Sequence, residues 1–432
     1  MSKRKMKDSG VEWLGEIPAE WGVSSLSQQA CQVKCKNDNL VEKNLLSLSY
    51  GKIKRRDIDA VGGLLPASFE GYNRVESGDI VLRLTDLQND QHSLRTGLVK
   101  ERGIVTSAYV SVRPSSRSSS EYLHLALYAF DVVKGFYGMG SGVRQGLTYG
   151  DVKQLRLPAP PLSTQRKIAE YLDARCAKID EMISDAKKTI EEYKAWKASV
   201  IFEAVTGKNT GAKMKDSGID GVDLIPQNWR VCKAIRALSM PITDGPHTTP
   251  DLYDTGIPFV SAEAVSYGNG SIDFSHIRGF VSQEFYDECC KKYIPRRDDI
   301  YMIKSGATTG RVSIVDTDKV FTIWSPLAVF RANPDLALPR YLFYFLQSSA
   351  YQKQVEISWS YGTQQNIGMR VLEQLHVVLP PIEQQFRIIA ELDKKCAAID
   401  RVISEKESLI ADLESYKKSL IFECVTGKME VA

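Results

Sequence analysis

The eight cysteines of this 432-residue sequence, at 31, 35, 176, 232, 289, 290, 396 and 424, form no Cys-x-x-Cys pair. That spacing builds neither a zinc ribbon nor a disulfide scaffold, and it suits a reducing cytoplasm. Five scattered histidines do not supply the ligands of a zinc site. No apolar run reaches the roughly 20 residues that cross a bilayer, and the opening Met1-Ser2-Lys3-Arg4-Lys5 leads into no hydrophobic signal core. Neither a membrane nor secretion is expected. Lys plus Arg number 56 against 53 Asp plus Glu, and a net charge of +3 is too small to announce nucleic acid by itself. Catalytic signatures are missing too. Gly306 to Arg311 lacks the Gly-Lys-Ser/Thr ending of a phosphate loop. Asn333-Pro334-Asp335 lacks the second proline and the aromatic of a base-methylating motif. No Asp…Glu-x-Lys nuclease constellation stands out.

What the sequence does have is a duplication. Displaced by 220 positions, Ser163–Lys208 falls on Glu383–Lys428 without a gap, and from Gln165 and Gln385 onward about 20 of 44 positions are identical. Both copies end in Ile-Phe-Glu, one residue, then Val-Thr-Gly-Lys. Leu172, Cys176, Ile179, Ile183 and Ile190 recur at spacings of three and four, as do Leu392, Cys396, Ile399, Ile403 and Ile410. This 3.5-residue period predicts a long helix in each copy with a seam for another helix. The second copy is the nearest partner for the seam of the first. Ser163 is the expected N-cap of the first helix, Glu383 a helix-start acid of the second, and Gly207 and Gly427 the C-caps.

The repeat extends further. Met6-Lys-Asp-Ser-Gly10, Ile17-Pro18 and Trp21 return 208 positions later as Met214-Lys-Asp-Ser-Gly218, Ile225-Pro226 and Trp229. The chain therefore divides into a lead-in (1–21), a body (22–160), a long helix (161–208), a second lead-in (209–229), a second body (230–380) and a second long helix (381–428). The fold class is α+β, with two mixed α/β bodies separated by two long helices. Asp79–Arg83 and Ala108–Val112 read as strands and Glu121–Val133 as a helix.

The first body carries 18 Lys plus Arg against 13 Asp plus Glu over residues 22–157. Lys52, Lys54, Arg55 and Arg56 cluster, with Arg83, Arg95, Lys100, Arg102, Arg113, Arg117 and Arg144 beyond them, a pattern that suits phosphate contacts. The second body is balanced at 15 against 15, so its loops are the better pointers. They are Asp244-Gly-Pro-His-Thr-Thr-Pro250 with His247, Thr248 and Thr249, and Lys304-Ser-Gly-Ala-Thr-Thr-Gly-Arg311 with Lys304, Thr308, Thr309 and Arg311. The third is Tyr361-Gly-Thr-Gln-Gln-Asn366, with Thr363, Gln364, Gln365 and Asn366. Such side chains read base edges, and glycine beside them lets backbone approach closely. Gln145 matches Gln365 at the same repeat offset.

Taken together, the doubled Ile-Phe-Glu-x-Val-Thr-Gly-Lys helix ending, Leu157-Pro-x-Pro-Pro-Leu162 and Leu379-Pro-Pro-Ile382 point one way. So do Asp244–Pro250, Ser305–Arg311 and Gly362–Ile367. The whole resembles the DNA specificity subunit of type I restriction-modification systems. The resemblance implies two target-recognition domains, each reading one half of an asymmetric bipartite site in double-stranded DNA. The helices would form an antiparallel coiled coil with pseudo-two-fold symmetry that fixes the spacer. It implies a non-catalytic chain docked by two methyltransferase subunits and by restriction (translocase/nuclease) subunits. S-adenosylmethionine, ATP and Mg would belong to those partners, with no cofactor and no metal here. The first body lacks the Asp-Gly-x-His-x-Thr-Pro loop, so its contacts are less defined. A self-sufficient methyltransferase or nuclease is opposed by the missing motifs. A coiled-coil scaffold presenting two modules to something other than DNA is the alternative.

Overall fold

A computed structural model describes residues 4–58, 68–90, 94–139, 146–208, 210–361 and 365–431. The seam residues do form long helices, Leu162–Thr206 and Ile382–Thr426. The chain makes two compact units, Met1–Lys187 with Glu407–Ala432, and Lys188–Lys406. Each unit thus takes the N-terminal half of one long helix and the C-terminal half of the other.

Inside the first unit Lys417 Nζ lies 2.6 Å from Asp180 Oδ1, and Leu172 shares a core with Leu420, Ile421 and Val425. Inside the second, Lys197 Nζ lies 2.7 Å from Asp400, and Val205 shares a core with Leu392 and Cys396. As numbering falls on one helix it rises on its neighbour, so the two segments run antiparallel in each unit. Asp180 and Asp400 are repeat equivalents, as are Lys197 and Lys417, so the same bridge is built twice. Of the seam, Leu172, Ile179, Ile183, Ile190, Leu392, Cys396 and Ile399 are buried, while Cys176, Ile403 and Ile410 are half-buried.

The helix starts differ from expectation at one residue. Ser163 lies inside the first turn, because the helix already begins at Leu162. Its repeat neighbours Gln165 and Gln385 do the tying-in instead. Gln165 Nε2 donates to the Pro160 carbonyl at 2.9 Å while its Oε1 accepts from the Ser119 amide at 2.9 Å. Gln385 does the same with Pro380 (2.9 Å) and the Leu338 amide (2.8 Å). Burying an amide at a helix start is tolerable only with such partners.

The bodies share a plan. In the first unit an antiparallel sheet runs Ala30–Val33, Val110–Pro114, Ile80–Leu82, Thr96–Leu98. In the second it runs Thr243–Asp244, Leu327–Phe330, Ile300–Ile303, Val312–Ile314. The expected strands at Asp79–Arg83 and Ala108–Val112 are Ile80–Leu82 and Val110–Pro114, and the expected helix is Ser120–Val132. A second sheet in the first unit orders Lys52–Arg56, Leu45–Ser49, Gly103–Val105 and Asn73–Val75. Each body is closed by an antiparallel pair, Gly22–Ser25 with Arg156–Ala159, and Arg230–Lys233 with His376–Leu379. Tyr122 on Ser120–Val132 donates to the Val425 carbonyl at 2.9 Å. Tyr341 on Pro339–Gln347 donates to the Val205 carbonyl at 3.3 Å. Each body thereby holds the last turn of a long helix in its own unit.

Candidate nucleic-acid interface

In the second unit the three loops singled out by sequence converge on Lys304. Its Nζ lies 3.2 Å from Asp244 Oδ2, which ties it to the first loop. Its carbonyl accepts from the Ile367 amide at 2.9 Å, and Ser305 pairs with Asn366 as a β-bridge, which ties it to the third. Asp244 is buried and is also held by Lys292, while His247 Nε2 stands 3.2 Å away. Burial would raise the Asp244 carboxyl, but hydrogen bonds from Lys292 and Lys304 outweigh it and hold the group below the usual carboxylate range. The same hub explains Gly245. A Cβ there would sit 2.1 Å from the Ile323 carbonyl oxygen, so the loop runs too close to its neighbour for any side chain.

Lys304 is therefore mostly internal, its side chain only 13% exposed, whereas His247, Thr248, Thr249, Arg311 and Asn366 are exposed. Thr309 Oγ1 donates to the Gly306 carbonyl at 2.7 Å, and Thr308 Oγ1 accepts from Ser266 Oγ at 3.2 Å. Arg311 donates to the Ser266 carbonyl at 3.2 Å. The next residue, Tyr267, is 65% exposed and stacks on His276 at 4.1 Å and 11°. Sequence reading missed this aromatic pair, because neither Tyr267 nor His276 falls within the three loops it singled out. Thr363 and Gln364 lie outside the described residues, as do Arg144 and Gln145. Gln365 and Asn366 form a short strand paired with Ser360–Tyr361.

The first unit has the same closure, without the same hub among the described residues. The Leu147 amide donates to the Leu84 carbonyl at 2.8 Å, the repeat equivalent of Ile367 to Lys304. The cation inside it is Arg95, fully buried, which donates to the carbonyls of Thr85 (2.9 Å) and Asp90 and so shapes the loop beside Arg83. Arg83 lies 3.8 Å from Asp90. Arg95, grouped by sequence with the phosphate-contacting cations, points inward, whereas Arg113 from the same group keeps its side chain 49% exposed and is engaged by an internal carboxylate. Arg113 forks onto buried Asp79 at 2.7 and 2.8 Å. The second unit repeats that device with Arg331 on Asp299 at 2.7 and 2.8 Å. Lys52, Lys54, Arg55 and Arg56 share one edge strand, and Arg55 is engaged by Glu101 at 2.6 Å.

Two unlike loop sets therefore stand on one repeated frame. The family model described as the type I restriction modification DNA specificity domain matches residues 245–408. The EcoBI specificity subunit of Escherichia coli is 26% identical over 283 residues, covering 63% of this chain. That match spans 58% of the EcoBI subunit, less than two thirds of its length. The putative MjaX specificity subunit of Methanocaldococcus jannaschii is 23% identical over 97% of this chain and 96% of that protein. A chain from a solved structure concerned with complex assembly and conformational transition of the type I R-M system superposes with a TM-score of 0.69. It has 18% identity and covers 96% of this chain and 99% of that one, which shows a shared fold. Residues 245–408 are thus similar to the type I restriction modification DNA specificity domain, and the chain along its length shares the fold of a type I R-M chain. No helix among the described residues is long and apolar enough to cross a membrane.

Proposed function

We propose that this chain is the sequence-specific DNA-binding subunit of a type I restriction-modification complex. Each body reads one half of an asymmetric bipartite duplex site, and the paired helices set the spacer. Two methyltransferase subunits and the restriction subunits supply the S-adenosylmethionine, ATP and Mg chemistry in the cytoplasm; this chain contributes recognition and a scaffold. The observation that carries the reading is the convergence of loops 244–250, 304–311 and 365–366 on Lys304, whose backbone closure alone recurs at Leu84 and Leu147, among different side chains. A frame kept constant while its loops differ suits two readers of different sequences. The scaffold alternative gives no reason for base-reading side chains to gather at that point.

The test is a duplex selection with the full chain co-expressed with its methyltransferase partner. A two-part motif with a fixed gap is expected, and recovery of no preferred duplex would reject the reading. Asn366→Ala should weaken binding to the selected duplex by about 1–3 kcal/mol while barely changing binding to scrambled DNA. Equal losses on both would assign Asn366 to the backbone rather than to a base.

A further inference from the structure

The hairpin of the first unit, Leu45–Ser49 and Lys52–Arg56, forms the open edge of its sheet. Its register sets Ser47 opposite Lys54, Ser49 opposite Lys52 and Leu45 opposite Arg56. Opposed residues share a face, and faces alternate along a strand. Leu45, Ser47, Ser49, Lys52, Lys54 and Arg56 therefore lie on one side, and Leu46, Leu48, Ile53 and Arg55 on the other. The second side is occupied. Leu46 and Leu48 are buried, and a Cβ on Gly97 would sit 2.5 Å from Leu48 and 3.0 Å from Ile53, so Thr96–Leu98 lies flat against it. Arg55 on that side is taken by Glu101.

Apart from Leu45, which is buried at its far end, the first side is a strip of cations and hydroxyls. Lys52, Lys54 and Arg56 are exposed, and Arg56 Nε donates to Ser47 Oγ at 3.1 Å, which lays the guanidinium along the ribbon. Alternate residues on a strand are about 6.7 Å apart, close to two rises of roughly 3.4 Å along one DNA strand.

The tip carries a second signal. Tyr50 and Gly51 both have positive φ, 48° and 75°. Two such residues in succession suit a tight hairpin turn for which Asn-Gly is preferred, and a bulky residue at positive φ is strained. Tyr50 is nonetheless 75% exposed, so no core packing compensates for that strain. An exposed aromatic kept at a strained tip points to a surface role.

We infer that this hairpin is a duplex-DNA reader. Lys52, Lys54 and Arg56 follow one phosphate chain while Tyr50 enters the major groove, which admits a two-stranded ribbon, and contacts base edges there. The assignment rests on the DNA-reading function proposed above and adds Tyr50 as a specificity-determining residue.

The experiment uses the full chain with its methyltransferase partner, titrated with its selected duplex and with a scrambled duplex between 50 and 200 mM salt. Lys52→Gln with Lys54→Gln should weaken both duplexes at least tenfold and flatten the log–log salt slope by about two. Tyr50→Asn should raise the melting temperature, because asparagine suits the turn, yet weaken the selected duplex about tenfold and leave the scrambled one unchanged. A repeat selection with this variant should blur one half of the motif only. An unchanged salt slope in the lysine variant, or an intact motif in the stable Tyr50→Asn variant, would overturn the hairpin assignment. A wild-type chain that prefers no duplex would instead overturn the DNA reading beneath it.

Discussion

At the residue scale the contrast lies among the basic side chains. Arg95 and Arg113 are indistinguishable in sequence from Lys52 or Lys54, all of them cations in a body rich in short strands and turns. What separates them is a buried partner. Arg113 forks onto Asp79, whereas Arg95 is spent on the carbonyls of the Thr85–Asp90 loop. A buried guanidinium must have its donors filled, as Arg95 has by backbone oxygens, and a buried carboxylate must have a cation, as Asp79 has in Arg113; neither pairing is written in the sequence. Asp131 shows the reverse case. It accepts from the Arg95 amide at 2.6 Å, but burial dominates and lifts its carboxyl from the ordinary 3.8 to about 6. Below 3.8 the group is neutral in both folded and unfolded chain. As pH rises towards 6 the unfolded chain ionises while the folded one holds its proton, so stability is lost across that window, by about 3 kcal/mol at most. Asp131→Asn removes this loss. Its stability relative to wild type should rise between pH 4 and pH 7 by up to about 3 kcal/mol, read from thermal melting across that range. A difference independent of pH would show that Asp131 is not held protonated.

At the element scale the long helices were the most legible part of the chain, because a 3.5-residue period and a shared register survive in sequence. Their C-caps were legible too, since Gly207 and Gly427 adopt φ of 69° and 74°, whereas the expected N-cap Ser163 falls inside the first turn. The role of the lead-in segments was not. Each is a two-stranded ribbon, Met6–Asp8 with Glu16–Pro18 and Met214–Ile219 with Val222–Pro226. The prolines and tryptophans that follow close over the helix ends. A Cβ on Gly207 would stand 2.5 Å from Pro226 and 3.0 Å from Trp229, and one on Gly427 would stand 2.4 Å from Pro18 and 3.0 Å from Trp21. In the second unit this lid follows its helix directly. In the first unit it comes from the opposite end of the chain, a pairing that no local pattern announces. Alanine at either glycine meets both a left-handed backbone and a closed lid, so Gly207→Ala and Gly427→Ala should each cost about 2–4 kcal/mol. Differential scanning calorimetry would check this, and a cost below about 1 kcal/mol would mean that the lids yield.

At the scale of the whole molecule, duplication made the architecture readable while divergence hid the site. The frame contacts recur at matching positions: Asp180–Lys417 with Asp400–Lys197, Gln165 with Gln385, Asp79–Arg113 with Asp299–Arg331. The loops do not recur, and among the described residues the Asp244 hub has no counterpart in the first body, where Arg95 organises the loop 85–90. Such a division makes a body exchangeable if its few frame contacts are kept. Residues 22–157 close around their own core of Leu26, Ile80, Val112, Leu123 and Phe136. Their contacts with the rest of their unit include Tyr122, whose hydroxyl holds the Val425 carbonyl, Phe130, whose ring meets Trp13 at 5.2 Å, and the Ser119 amide, which donates to Gln165. A donor body from a relative that keeps a tyrosine at position 122 and an aromatic at position 130 should fold on the frame. Base modifications mapped genome-wide in cells expressing the hybrid with the methyltransferase should then show one half of the motif replaced and the other unchanged. Replacement of both halves would mean that the bodies do not read independently. A hybrid that melts like the parent and still marks the parental motif would place recognition outside residues 22–157.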